Sequence, residues 1–530
     1  MIERLLDVLT WIPPWAYIAV FMPFFVILPT VGLLTLLERK VASWVQDRVG
    51  PNRAGMKLPF EWMDRVVPRF LRKPLAILQV AADGLKFFTK EDYRARNVDK
   101  VLFSLGPAMM VVVVMVAIAI VPWAGTKGTR SSIEVPAGQV PLTAIAQALP
   151  RHHQLIGKPS IQLLEPLPRT ENEGMIPAEL RREFVPQPGD PLPVRAMVTY
   201  THGWRFQVAS LDIGVLFAVS ILSLAVYGVV IGGWASNNKY SFLGGLRATA
   251  NMISYEIPLG LSILAVVVLF GTLDLGVIVE KQTHYWGGVL PAWNVFVMPA
   301  VAVLFLVCLH AESNRAPFDI AEAEQELVGG YHTEYSSMRF ALFFLAEYFE
   351  MVVTSAILVA LFLGGWHLPY LDRLFPALAG GVDPANPSVT DSYVALAVQW
   401  AVFYGKTLLV VFIFMWTRWS LPRFRFDQIL GIAWRGLIPV SLALLAVSTL
   451  AVWWFGTGDR TTAAGLERIV PGPMGLALLA GNVAVLVGAV LLGKALSGDP
   501  TAPPNKRVPI PGSRFARTPL PAGVVPTNKL

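Results

Sequence analysis

Nine runs of apolar residues, each about as long as a helix that crosses a bilayer, alternate with polar connections along the chain. They cover roughly residues 14–37, 101–122, 209–233, 252–272, 293–311, 340–364, 394–417, 437–455 and 474–493. A hydrocarbon core needs about 20 such residues per helix. Runs as dense as MMVVVVMVAIAIV, from Met109, satisfy that need. The pattern predicts an all-α polytopic membrane protein. The first run has no basic segment before it, and Glu3 and Asp7 lie early, so it reads as a retained span rather than a leader.

Two stretches interrupt the rhythm. Residues 123–208 hold eleven prolines and no span. Such composition favours extended or irregular backbone, with a short helix at 142–149, and the segment reads as a loosely folded external insertion. Residues 498–530 hold eight prolines and little apolar content and read as a disordered tail. A third segment, KLPFEWMDRVVPRFLRKPL from Lys57, repeats Phe60, Met63, Val67, Phe70 and Leu71 at helical spacing with basic residues between. That suits an amphipathic helix lying in the interface, kinked at Pro68.

Charge sets the orientation. With the N-terminus outside, the inside segments 38–100, 234–251, 312–339, 418–436 and 494–530 carry 28 Lys and Arg, against 5 in the short outside segments. Basic loops stay in the cytoplasm, so this asymmetry places the C-terminus inside. It also accounts for the net charge of +7 without a nucleic-acid partner. The chain is 54% hydrophobic and 15% charged, against roughly 25% charged in soluble domains, which excludes an ordinary cytosolic enzyme. Cys308 is its one cysteine, so no internal disulfide, thiolate iron–sulfur centre or cysteine-based zinc site can be built. No dinucleotide or phosphate-loop motif is present.

The informative residues are charges where charge is costly. An ionisable side chain at membrane depth costs about 2.5–3.5 kcal/mol on insertion scales. Glu256 opens a span in NMISYEIPLGL, Glu347 and Glu350 lie in FFLAEYFEMVV, Lys406 lies in VFYGKTLLVVF, and Glu38, Arg39 and Lys40 close the first span. Structural ion pairing or snorkelling is the alternative for each. The densest group follows the fifth run, in CLHAESNRAPFDIAEAEQELVGGYHTEYSSMRF. There Glu312, Arg315, Asp319, Glu322 and Glu326 are spaced 3, 4, 3 and 4. On an unbroken helix they would share one face, although Pro317 argues for a break. Glu324 and Glu334 add to the group. Crowding and burial favour the protonated form of a carboxyl, and such groups titrate as a set, which suits proton relay. The first inside loop, LLERKVASWVQDRVGPNRAG, places Glu38, Arg39, Arg48 and Arg53 around a Gly50–Pro51 turn. The next stretch adds Asp83, Lys86, Lys90 and Glu91. Lys57, Arg65 and Arg72 read as interfacial anchors.

These loops carry a resemblance. TLLERKVASWVQDRVGPNRAG, ADGLKFFTKED, ASNNKYSFLGGLRATANMISYE and AESNRAPFDIAEAEQELVGGYHTEY closely resemble the membrane-arm heel (H-type) subunit of the proton-translocating NADH–quinone oxidoreductase, respiratory complex I. The resemblance covers about 1–122 and 207–456. It implies eight transmembrane helices, so the helix within 457–497 is a ninth, and the 123–208 insertion lies outside the pattern. It implies a bacterial plasma-membrane location, a chamber admitting a lipid quinone (menaquinone or ubiquinone), and coupling of its reduction to proton translocation. The partners implied are a hydrophilic quinone-site subunit, an iron–sulfur subunit and neighbouring membrane-arm subunits, with no flavin, iron–sulfur cluster or metal in this chain. Carried over residue by residue, the relay acids are Glu256, Glu312, Asp319, Glu322, Glu324, Glu326 and Glu347. The quinone-chamber residues are Glu38, Arg39, Arg48, Asp83, Lys86, Glu91, Arg315, Phe318 and Arg425. Headgroup ligands are expected from a partner, with His332 and Tyr335 the alternatives here. The competing readings are the related subunit of a membrane-bound hydrogenase or reductase, and a stand-alone proton-coupled transporter.

Overall fold

The computed structural model describes residues 13–51, 78–149, 154–164, 195–283, 285–286, 290–321, 324–370, 381–383, 386–455 and 472–496. The interfacial helix expected at 57–71, Glu322 and the 498–530 tail lie outside them.

Among the described residues, eight helices are long and apolar enough to cross a membrane. In chain order the helices longer than four residues are α1 (Pro14–Val45), α2 (Leu78–Thr89), α3 (Lys100–Ile118), α4 (Pro141–Ala148), α5 (Gly214–Ala235), α6 (Lys239–Phe270), α7 (Leu275–Lys281), α8 (Pro299–Glu312), α9 (Ser337–Phe362), α10 (Tyr393–Ser420), α11 (Phe426–Phe455) and α12 (Gly472–Leu496). The eight long ones are α1, α3, α5, α6, α9, α10, α11 and the stretch Pro473–Gly493 of α12. This is the all-α polytopic membrane protein that the apolar runs predict. Two compact units divide the chain after Val483. In the second, the described residues are the last turns of α12.

The fifth apolar run departs from its expected form. Instead of a full span, the chain makes one turn at Asn294–Val297, leaves helical geometry at Met298, and resumes as the 14-residue α8. At 1.5 Å per residue that is about 21 Å, short of a hydrocarbon core of about 30 Å. Proline fits the first turn of a helix but not its interior, so Pro299 restarts the helix there. At the other end Asn314 has φ 48°, and the chain continues without regular structure. Residues 313–321 are nonetheless buried throughout. Irregular backbone is tolerated at membrane depth only where protein or a cavity covers it, and here protein covers it.

α9 is the most buried of the long helices, with 83% of its apolar window inside the protein. Its C-terminal carbonyls lack helical partners and are met by side chains from other elements. Gln282 donates to the Ala360 carbonyl at 2.8 Å and Asn294 Nδ2 to the Leu361 carbonyl at 2.6 Å. Lys406 Nζ donates to the carbonyls of Leu363, Gly365 and His367 at 2.7, 2.9 and 2.6 Å, and lies 4.1 Å from the Trp293 ring centroid. The half-buried cation in the sixth long helix is therefore satisfied by carbonyls at the negative end of α9. The chain turns there at Gly364, where φ is 65° and a Cβ would stand 2.2 Å from Trp293 Nε1.

The 123–208 insertion differs from the expected loose segment. It forms α4, near the predicted helix, and three long strands, β1 (Thr126–Val135), β2 (Gln154–Leu163) and β3 (Ala196–Arg205). A small hairpin, β4 (Tyr285–Trp286) and β5 (Leu290–Pro291), stands apart. Strands β6 (Gly381–Asp383) and β7 (Asn386–Thr390) join the large sheet, whose order is β2-β3-β1-β7-β6. The prolines cluster between the strands, and the strands alternate. β1 and β3 bury Val135, Ala196, Val198 and Tyr200 against Ile145 of α4. Each large apolar side chain so buried contributes roughly 1.5–3 kcal/mol. Two ion pairs anchor the sheet at the end where β1 begins and β3 finishes. Arg205 pairs with Asp274 at 2.6 Å, and Lys127 pairs with Asp391 at 2.6 Å. That hydrogen bond and the Lys127 charge hold the Asp391 carboxyl below the usual aspartate range.

α3 and α5 approach closely through glycines, as small residues allow in membranes. A Cβ on Gly228 would lie 2.5 Å from Met110 Cγ and 2.9 Å from the Gly106 carbonyl, whereas one on Gly260 would meet nothing within 4 Å. Gly228→Leu is therefore expected to destabilise the detergent-solubilised protein by about 1–3 kcal/mol, read as a fall in its unfolding midpoint. Gly260→Ala is the control, and equal midpoints for the two variants would contradict this packing.

A candidate site joining a buried ion cluster to an apolar cavity

Two sequence-distant motifs meet at Glu38, near the end of α1. The side chain is buried. Arg315, from the irregular loop after α8, donates to both carboxylate oxygens at 3.3 Å. Arg418 of α10 and the Tyr348 hydroxyl of α9 also donate to it. The Arg315 guanidinium lies 4.3 Å from the Tyr348 ring centroid. Three donors around one carboxylate are what a buried charge requires, because desolvation costs several kcal/mol per ion unless it is offset.

The loop carrying Arg315 is pinned from the other side by the connection after α10. Arg423 donates to Asp319, which is buried, and the Phe424 amide donates to the Pro317 carbonyl at 3.1 Å. Phe318 sits edge-on to Tyr255 at 5.3 Å and near Phe424 at 5.7 Å, so it serves as the loop's apolar anchor.

The remaining acids line up on α6, α8 and α9. Glu256 accepts from Ser223 Oγ. Glu312, the last residue of α8, lies within electrostatic reach of Glu256. Glu350 lies within reach of Glu312, Glu347 and Arg315, and is 1% exposed with Oε1 lacking a hydrogen-bond partner among the described residues. Glu347 accepts from the Tyr331 hydroxyl at 2.7 Å. Glu256, Glu312, Glu350 and Glu347 thus form a series of acids within electrostatic reach of one another, which Arg315 joins to Glu38. The single acidic helix face considered for Glu312–Glu326 does not form, because α8 stops at Glu312. Asp319 turns to Arg423, and Glu326 is exposed and pairs with Arg247 at 2.6 Å. The side chain of Glu324 lies outside the described set.

Beside the cluster is a cavity of about 470 Å³ between α1, α2 and α9, within the size range of ligand pockets. Its wall is largely apolar, with Leu28, Phe87, Phe88 and Phe344 among its residues, while Thr35, Asp83 and Tyr348 bring polar atoms. Asp83 accepts from Arg39 at 2.9 Å and from Gln79 at 3.0 Å. The end of α2 and the residues after it are fastened to the start of α9. Ser336 and Ser337 donate to the carbonyls of Glu91 and Phe87 at 2.7 and 2.8 Å, and Arg339 donates to Asp92 at 2.8 Å.

Several candidates stand elsewhere. Arg48 is exposed and donates to Gln46. Lys86 and the Glu91 side chain are exposed. Arg425 pairs with Asp427 at 3.7 Å, both side chains largely exposed. The nearby basic residues that reach buried acids are Arg418, at the end of α10, and Arg423, in the connection after it. Tyr335 stacks on Phe103 at 3.9 Å and donates to the Gly232 carbonyl, and the His332 ring sits edge-on to Tyr331 at 5.2 Å. Neither lines the cavity. Sequence reasoning passed over Tyr348, Tyr331, Arg418 and Arg423. The available signal was adjacency to Glu347 for Tyr348, to His332 for Tyr331 and to a span end for Arg418 and Arg423.

A sequence profile described as NADH dehydrogenase matches residues 18–151 and 190–449. The chain belongs to the NADH dehydrogenase family. Among relatives within it, the chain is 34% identical to an H-type subunit of the NADH-quinone oxidoreductase of Cytophaga hutchinsonii, over 79% of this chain and 92% of that one. It is 36% identical to the H-type subunit of Leptospira biflexa, over 81% and 93%, and 33% identical to that of Salinibacter ruber, over 83% and 97%. The likeness read from the inside loops thus extends over most of the chain, and the eight long apolar helices suit a membrane subunit of this family.

Breaking the cluster has a defined expectation. Arg315→Met leaves Glu38 short of a donor at a buried site, at a cost of about 3 kcal/mol. Combined with Glu38→Gln, the two losses are expected to be non-additive by about 0.5–3 kcal/mol. Unfolding midpoints of the wild type, both single variants and the double variant measure this, and simple additivity would remove the pair from the account.

Proposed function

We propose that this chain is the subunit of an NADH–quinone oxidoreductase that admits the lipid quinone and links its reduction to proton movement. The observation that carries the reading is the cavity wall: an apolar pocket, open to a long isoprenoid-like ligand, shares Tyr348 with a buried carboxylate cluster. The names of the relatives supply the reaction class. Quinone reduction takes up two protons and changes charge at the headgroup. In a low-dielectric surrounding that change is felt strongly by nearby ions. The Glu256–Glu312–Glu350–Glu347 series, with Arg315 and Glu38, is the receiver in this reading.

The redox centres come from partner subunits docking on the inside loops, and this chain supplies access, orientation and charge coupling rather than electron transfer. Asp83, held by Arg39, is its polar feature at the α2 side of the cavity. Menaquinone and ubiquinone both fit the chemistry. In this reading the basic loops face the cytoplasm, with the sheet of β1, β2 and β3 on the outer side of a bacterial plasma membrane and the Glu38 end on the inner side.

Two variants test the parts separately. Gly84 lines the cavity, and a Cβ there meets nothing within 4 Å, so Gly84→Phe fills space without a clash at its Cβ. It is expected to raise the quinone KM roughly tenfold, with NADH oxidation by a water-soluble artificial acceptor unchanged. An unchanged quinone KM would take the cavity out of the reaction. Glu312→Gln is expected to lower protons translocated per NADH at least twofold while artificial-acceptor oxidation persists. Normal translocation would exclude Glu312 from the coupling route.

A further inference from the structure

The ring of Tyr348 has three separate surroundings. One side lines the cavity together with Phe87, Phe344 and Leu345. Its face carries the Arg315 guanidinium, 4.3 Å from the ring centroid. Its hydroxyl donates to Glu38. The side chain is 5% exposed, so it has little freedom to satisfy these one at a time. It also lies on the turn of α9 that carries Glu347 and Glu350.

Arg315 is likewise shared. It donates to Glu38 at 3.3 Å and lies within electrostatic reach of Glu350. Glu350 is on the same helix as Tyr348 and keeps one oxygen without a hydrogen-bond partner among the described residues. One guanidinium thus holds one acid and lies within electrostatic reach of a second. Glu38 is also paired with Arg418, so it keeps a counter-charge if Arg315 leans away. A guanidinium shared in this way is the kind of element whose alternative arrangements can couple separated sites.

We propose that Tyr348 is a positioning residue that reports occupancy of the cavity to the ion cluster: a ligand pressing on the ring breaks its hydrogen bond to Glu38 and moves the platform under Arg315, shifting that cation toward Glu350. The inference rests on the quinone reading of the cavity. It assigns Tyr348 no bond-making step. The phenol keeps its proton, and only hydrogen-bond and ion-pair partners change. A ligand shifts such an equilibrium only by its differential affinity for the two arrangements, and the shared ring supplies that difference.

The test uses the assembled complex in native membranes. Tyr348→Phe keeps the wall and the ring face and deletes only the hydroxyl. It is expected to lower protons translocated per NADH at least twofold. Tyr348→Leu, which also removes the ring, is expected to raise the KM as well. A Tyr348→Phe enzyme with wild-type proton stoichiometry overturns the inference, and so does one in which only the KM changes. If the Phe variant fails to assemble, 3-fluorotyrosine placed at 348 retains every contact. Its fluorine resonance is then expected to shift when a short-chain quinone is added, and no shift overturns the inference. A photoreactive quinone applied to the wild type separates the two layers. Labelling of α2 or α9 beside Tyr348 together with unchanged coupling in Tyr348→Phe defeats the Tyr348 inference alone. Absence of labelling there defeats the cavity reading and the inference with it.

Discussion

A carboxylate removed from water must be given partners, and Glu38 shows how much of the protein that demand organises. Its three donors come from the loop after α8, from α9 and from the end of α10. Each had to be delivered by a different part of the chain. Placing them fixes where α1 ends relative to α9 and α10, and it brings Tyr348 to the edge of the cavity. Replacing such a cluster with apolar side chains is often neutral or stabilising in proteins. Its presence therefore points to a use other than holding the fold together.

The second constraint is the shortness of α8. A full span would have carried the Glu312–Asp319 segment away as helix, with its carbonyls and amides paired within the helix. Stopping at Glu312 leaves a buried irregular loop whose polar groups need outside partners. Arg423 and the Phe424 amide provide some of them. The loop is then free to aim Arg315 at Glu38 while Phe318 anchors it against Tyr255. The broken helix and the charge cluster are one arrangement seen from the backbone and from the side chains.

The long apolar helices were legible because run length against bilayer thickness leaves few alternatives. Glu38, Arg315 and Asp319 were legible as costly charges. Their pairing was not, since Glu38 and Arg315 lie far apart in sequence and no local periodicity relates them. The acidic spacing around Pro317 suggested a helix face, and the structure replaces it with separate pairings, because local spacing says nothing once the helix ends. The sheet was hidden by averaging. The prolines of 123–208 lie mostly between strands, and β6 and β7 arrive from a connection much later in the chain. Tyr348 escaped notice because a tyrosine beside a glutamate in an apolar run looks like an interfacial aromatic. Only its simultaneous contact with a cavity, a cation and an acid distinguishes it.

The central claim is that a ligand in the cavity and the buried carboxyls sense one another electrically. Redox-triggered infrared difference spectroscopy of the assembled complex reads this directly, because carboxyl stretching bands respond to changes in hydrogen bonding and charge. Reduction of bound quinone should produce carboxyl difference bands alongside the quinone bands, with part of the carboxyl signal lost in Glu38→Gln. A spectrum that contains quinone bands and no carboxyl response would contradict the account.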